Sequence, residues 1–198
     1  MSVTAISYDA CMGRWEPNAG ERLRQAAMEL FHERGYDRTT VEEIAARAGL
    51  TERTFFRYFT DKREVLFAGS ESLAQLIIDT IKAAPTTTAP FDAVVAALEA
   101  TSTFFEGRHS HAQKRQALIV AHAELLEREL IKLTLLGVAI SETLQKRGVA
   151  RPTARLVGEM GMTIFRNAFE RWLEDGKKRD LAHHIHATLA ELRTAAAS

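Results

Sequence analysis

Between Arg47 and Arg63 the chain gathers five cations, Arg47, Arg53, Arg57, Lys62 and Arg63, against two acids, Glu52 and Asp61, a local excess of +3. A face that neutralises nucleic-acid phosphates needs such a concentration of basic side chains. Interleaved with the cations is an aromatic run, Thr51-Glu-Arg-Thr-Phe-Phe-Arg-Tyr-Phe59. At helical spacing Phe55 and Phe59 share a face suited to a core. Phe56 and Tyr58 point toward the flanks, where a ring and a phenol can press on a sugar-phosphate backbone. Packing inside the protein is the competing use for both rings, and plain solvation is the competing use for the charge. From Arg14 to Phe67 there are 10 basic and 10 acidic residues, so any phosphate-binding face is local.

A second set of side chains has the makings of a small-molecule cavity: Phe104, Phe105, Met160, Met162 and Phe165 for apolar walls, with His122 as a polar point. Ordinary core packing would use the same residues. Catalytic patterns are missing, since the sequence holds no Gly-rich phosphate loop, nucleophile elbow or HExxH. The carboxylate pairs Glu42-Glu43 and Glu174-Asp175 fall at helix ends, where capping or solvation accounts for them. His183 and His186 share a helix face, but two imidazoles alone make a poor metal site. We therefore expect no enzyme, no metal site and no cofactor. The single cysteine, Cys11, excludes an intramolecular disulfide and a Cys-based zinc site. No run of 18 apolar residues occurs and the first 20 residues carry no secretion pattern, so a cytoplasmic protein without membrane contact is expected.

Positioning these groups falls to helices. The chain has 198 residues, zero formal net charge and 46% hydrophobic residues, enough to bury a sizeable core. Prolines at positions 17, 85, 90 and 152 leave long uninterrupted stretches, and the pattern predicts an all-α fold of about nine helices. After a flexible arm, residues 1–19, helix one is predicted from Ala19 to Arg34. Thr40-Val-Glu-Glu43 has the form of a capping box for a short second helix ending at Gly49. Thr51 caps a third. Two short helices around a glycine turn make a helix-turn-helix. A fourth helix, capped by Thr60 or Asp61, is predicted to run to Ala84. Others follow at about 91–106, 110–122, 124–147, 153–175 and 179–195. The stretch from Leu125 to Leu144 is apolar nearly all round and predicts a helix buried on most sides.

The segment from Thr39 to Leu66, TTVEEIAARAGLTERTFFRYFTDKREVL, resembles the DNA-binding domain of the TetR family of transcriptional regulators across roughly residues 20–67. The resemblance implies that Thr40 caps helix two and touches a phosphate. It implies that Thr51, Arg53 and Thr54 face base edges, and that Tyr58 and Lys62 clamp the backbone. Phe56 stands where the family most often has tyrosine, which removes one phosphate hydrogen bond. The stretch from Arg115 to Trp172 is similar to a C-terminal subgroup of regulators that answer to lipid or acyl-thioester ligands. The family thus implies a homodimeric repressor in which residues 20–67 read double-stranded DNA, while residues 68–198 dimerise and bind a small apolar effector, acyl-thioester-like. The apolar rows of the last two helices place the expected dimer contact at Leu156, Gly161, Phe169, Trp172, Ile185, Leu189 and Leu192. A reading from a different class is a helical module that sequesters a hydrophobic ligand or a protein partner, with the helix-turn-helix merely structural.

Overall fold

The computed structural model describes residues 18–176 and 178–197. Nearly all of the expected arm, residues 1–17, and with it Cys11, lies outside the described residues. Among those described, the chain forms nine α-helices, a short 3-10 turn and no strand. They fall into two compact units, one ending at Val65 and the other beginning at Leu66.

The first unit contains α1 (Ala19–Arg34), α2 (Val41–Arg47) and α3 (Glu52–Tyr58). Leu23, Ala26, Ala27, Leu30 and Phe31 form the buried row of α1, and the helix stops at Gly35, whose φ of 86° favours glycine. Helices of seven residues are marginal on their own. Here they are held by burial of Ile44 and Ala45 from α2 and of Phe55 from α3. Enclosing a ring such as that of Phe55 stabilises by about 1.5–3 kcal/mol. Phe59, expected beside Phe55 in the core, sits half-buried in extended backbone just past α3.

A 3-10 turn, Arg63–Phe67, leads into the second unit. The continuous fourth helix expected from the sequence is not formed. Asp61 does cap, accepting from the backbone N–H groups of Arg63 and Glu64, but Gly69 at φ 94° interrupts the path and a new helix, α4 (Ser70–Ala83), starts beyond it. Next come α5 (Pro90–Phe105), α6 (His109–Ala121), α7 (Ala123–Lys146), α8 (Arg151–Glu174) and α9 (Leu181–Ala197). Pro90 and Pro152 occupy first turns, where the missing N–H costs nothing. Arg147, at the end of α7, donates to the carbonyls of Ile81, Ala84 and Pro85, satisfying the C-terminal end of α4.

Two expectations are corrected by the packing. First, α7 is not buried on most sides: Leu126, Leu130, Ile131, Leu135 and Val138 stand substantially exposed along one stripe. An apolar-all-round pattern records that a helix has partners without saying whether they belong to the same subunit. Second, several residues expected at a dimer contact are enclosed within the subunit. Gly161, Trp172, Ile185 and Leu189 are buried, Leu192 packs partly against the same core, and Leu156 alone of that set is well exposed. Apart from Leu156, the apolar residues of α8 are covered chiefly by α5, α7 and α9 of the same subunit. A Cβ on Gly161 would come 2.6 Å from Val94 Cγ1 of α5, and one on Gly158 would come 2.7 Å from the carbonyl oxygen of Gly137 on α7. No described helix is long and apolar enough to cross a membrane.

Candidate nucleic-acid interface and effector cavity

Local chemistry sets the helix-turn-helix. At the start of α2, Thr40 Oγ1 accepts from the Glu43 N–H at 3.2 Å, while Glu43 Oε2 accepts from the Thr40 N–H at 2.9 Å, a complete capping box. The Thr40 N–H, helped by the nearby Arg34 guanidinium, holds the Glu43 carboxyl below its usual range. Thr51 Oγ1 caps α3 by accepting from the Thr54 N–H at 3.2 Å. Between the two helices Gly49 has φ 67°, and a Cβ there would come 2.9 Å from a terminal nitrogen of Arg22. That guanidinium donates to the Ala48 carbonyl and fastens the turn to α1.

With Phe55 turned inward, α3 presents Arg53, Phe56 and Arg57 on its outer face, all exposed, and Phe56 is 54% accessible. Phe56 is therefore not packed into the core. The ring of Tyr58 is committed differently: it lies against Gly20 at the start of α1, with the Arg57 guanidinium 5.1 Å from its centroid.

Two other expected DNA-contacting cations have partners inside the unit. Arg47 pairs with both oxygens of Glu33 at 2.8 and 3.0 Å and reaches Glu29 at 3.4 Å. The hydrogen bond from Arg47 draws the Glu33 carboxyl below its ordinary range. Arg47 thus ties α2 to α1, and its charge is already balanced. Lys62 Nζ donates to the carbonyls of Tyr36 and Thr39 at 2.8 and 3.1 Å and lies 4.1 Å from the Tyr36 ring centroid, bracing the loop between α1 and α2. Arg63 is paired with Asp61 at 2.8 Å. Of the five cations, Arg53 and Arg57 are the ones that project from the outer face of α3, with the exposed Glu52 beside them.

The second unit encloses a cavity of about 800 Å³ between α4, the end of α5, α6, α7 and α8. Phe104, Phe105 and Phe165 line it, as expected. So does Phe169, which sequence reasoning had assigned to a dimer contact; its ring stacks on Phe165 at 5.8 Å and tilts on Phe105 at 5.1 Å. Three expected pocket residues are elsewhere. His122 joins α6 to α7 with Nδ1 2.8 Å from the Leu118 carbonyl oxygen. Met162 packs at the glycine crossing of α7 and α8, and Met160 lies outside the lining. The polar side of the cavity was missed altogether: Arg108, Arg115, Gln116, Glu129 and Arg166 all contribute to it. Charged residues on an amphipathic helix look like a solvated face, so nothing in their spacing reveals them. Gln116 Oε1 is buried without a hydrogen-bond partner among the described residues.

At the far end of α6, His109 Nε2 lies 2.9 Å from the Trp172 carbonyl oxygen and Gln113 Nε2 donates to that of Leu173. The first turn of α6 is thereby docked on the last turn of α8. Near the same end of α8, His183 is exposed beside Arg179, and His186 Nε2 lies 3.4 Å from Glu99 Oε1. Among the described residues no group of three or more His, Cys, Asp or Glu side chains is arranged to hold a metal.

Residues 23–68 match the family described as bacterial regulatory proteins, tetR family, and residues 88–197 match the MftR C-terminal domain. MftR of Mycobacterium tuberculosis, a proposed transcriptional regulator of mycofactocin biosynthesis, is 28% identical over 176 residues, covering 86% of this chain and 87% of that protein. Among solved structures, FadR of Thermus thermophilus, a TetR-family repressor in complex with lauroyl-CoA, aligns with a TM-score of 0.50 and 27% identity over 86% of this chain and 91% of the other. A regulator assigned to the same family from Syntrophomonas wolfei aligns with a TM-score of 0.65 at 19% identity, covering 91% of this chain and 96% of its own, a likeness of fold. With its helix-turn-helix and its C-terminal domain both matched, the chain belongs to the TetR family of bacterial transcriptional regulators, DNA-binding proteins and not enzymes.

Proposed function

We propose that this protein is a ligand-responsive repressor that binds a palindromic operator in the cytoplasm as a two-fold dimer. The observation that carries the DNA half is the outer face of α3. A buried Phe55 and a capped first turn fix that helix, and Arg53, Phe56 and Arg57 project from it into solvent. Thr51 and Thr54, in its first turn, are set to face base edges, which is where a recognition helix entering the major groove makes its contacts. Two such helices must lie about 34–36 Å apart to enter successive grooves.

The effector half rests on the aromatic cavity, whose size and mixed apolar and cationic lining suit a small molecule with a long apolar portion. The lauroyl-CoA held by the Thermus FadR supports an acyl-thioester-like compound as the class. Selection of duplexes from a random pool is the direct test. The full-length protein should enrich a sequence with two inverted half-sites about one helical turn apart. Recovery of unenriched sequence would remove the operator reading.

A further inference from the structure

Arg115, on α6, is the hub of the cavity's polar side. Its Nε donates to the Leu66 carbonyl at 2.6 Å, and its two terminal nitrogens donate to the two oxygens of Glu129 on α7 at 3.2 and 2.7 Å. The guanidinium also lies 5.2 Å from the ring centroid of Phe67. The pair is well enclosed, with side chains 19% and 17% exposed. All four residues line the cavity. Leu66 and Phe67 end the 3-10 turn and are the first residues after the DNA-reading unit closes at Val65. One side chain therefore joins the cavity wall to the strip of backbone that continues from the recognition domain.

A guanidinium has five N–H donors in a rigid fork, and three of its hydrogen bonds are made here. A neutral group offers too little to draw it off a carboxylate. Another anion offers the same bidentate geometry.

We propose that Arg115 is the positioning residue through which the cavity's occupant controls DNA affinity, by exchange of partner. A carboxylate or phosphate carried on an apolar tail takes the place of Glu129 on the fork while the tail packs on Phe105, Phe165 and Phe169. The fork turns toward the guest, the Leu66 carbonyl loses its donor, and the 3-10 turn is released from α6. Glu129, left without the guanidinium in its well-enclosed position, turns toward water. This exchange rests on the ligand-responsive reading above and supplies its regulation. A neutral molecule with the same tail fills the cavity without disturbing the pair, so it binds without signalling.

The test uses the full-length protein, a duplex selected from a random pool, and two probes of equal tail, dodecanoate and methyl dodecanoate. Dodecanoate is expected to weaken binding to the selected duplex by about tenfold. The methyl ester should raise the thermal midpoint while changing DNA affinity less than about twofold. Arg115→Gln, checked for folding by circular dichroism, lacks the donor to Leu66 from the outset, so it should bind the duplex about tenfold more weakly than the unaltered protein before any probe is added and respond to dodecanoate less than about twofold. Glu129→Gln keeps the shape and removes the competing charge, so it should release DNA at about tenfold lower dodecanoate. If Arg115→Gln does not fold, Glu129→Gln decides. Three results overturn the exchange while leaving an effector-controlled regulator intact: a full response in Arg115→Gln, release by Glu129→Gln at an unchanged or higher concentration, or equal release by both probes. A wild-type protein whose duplex stays bound at every concentration of either probe overturns the exchange as well. One that selects no duplex overturns the reading beneath it.

Discussion

Arg53 and Lys62 carry the same charge within ten positions of each other, yet their surroundings give them different work. Arg53 projects from the first turn of α3 into solvent, so Arg53→Ala should cost about 1–3 kcal/mol on the selected duplex and flatten the preference over random DNA, read in a competition titration. Lys62 spends two donors on the carbonyls of Tyr36 and Thr39. Lys62→Met should lower stability by about 2 kcal/mol and weaken selected and random duplexes together; an unchanged thermal midpoint would rule out the brace. The caps at Thr40 and Thr51 were legible because a cap is written within four residues. The engagement of Arg47 was not, since its partner Glu33 lies 14 residues back on another helix and no spacing rule couples them. A pH response belongs at this scale too. Burial pushes the His184 imidazole below its usual range despite Asp175 3.4 Å away, with His183 and Arg179 also facing it. The hydrogen bond from Arg179 pulls Asp175 down to about 2. Both shifts make the unfolded chain the better proton acceptor as pH falls. The His184 contribution is complete above about 6.5 and declines below it; that of Asp175 is complete above about 4 and disappears toward 2. Thermal midpoints should drop in these two windows, and His184→Gln should abolish the upper one alone.

Helix boundaries were readable from the sequence to within a few residues because Gly35, Pro90 and Pro152 act through backbone chemistry that needs no tertiary context. The fourth helix was misjudged at Gly69, whose side-chain-free backbone adopts φ 94° between two helical segments that share an apolar pattern. Which neighbour each helix face meets was largely illegible: the apolar rows of α8 suggested a dimer contact, and the structure covers them with α5, α7 and α9. The crossing of α7 over α8 gives a sharp test. A Cβ at residue 158 would sit 2.7 Å from a backbone oxygen that has no flexible end to yield, so Gly158→Ala should destabilise by about 1–3 kcal/mol in urea unfolding. The same change at Gly148, at φ 90° with open space around it, tests backbone strain alone. Unchanged or raised stability in Gly158→Ala would mean that the close approach carries no cost, since the change is otherwise favourable inside a helix.

At the level of the assembled molecule, the stripe of Leu126, Leu130, Ile131, Leu135 and Val138 on α7, with Leu156 of α8 also exposed, is the apolar surface that a second copy would cover. Val138 is 50% exposed and stands outside the cavity lining, so Val138→Glu should leave the subunit folded and yield a monomer in sedimentation, with weakened binding to a two-half-site duplex. A dimer of unchanged affinity would exclude this face and return attention to the outer surfaces of α8 and α9. The contact between Gly137 and Gly158 has a consequence for what the cavity can measure. Where two backbones already touch, there is no slack, so the side of the chamber formed by α7 and α8 behaves as a fixed jaw. The opposing jaw is α6, docked on α8 through the side chains of His109 and Gln113 and carrying Arg115 within two turns of those contacts. Guests of equal tail, charged or neutral, meet the same unyielding wall, so what separates them is the group each presents to Arg115.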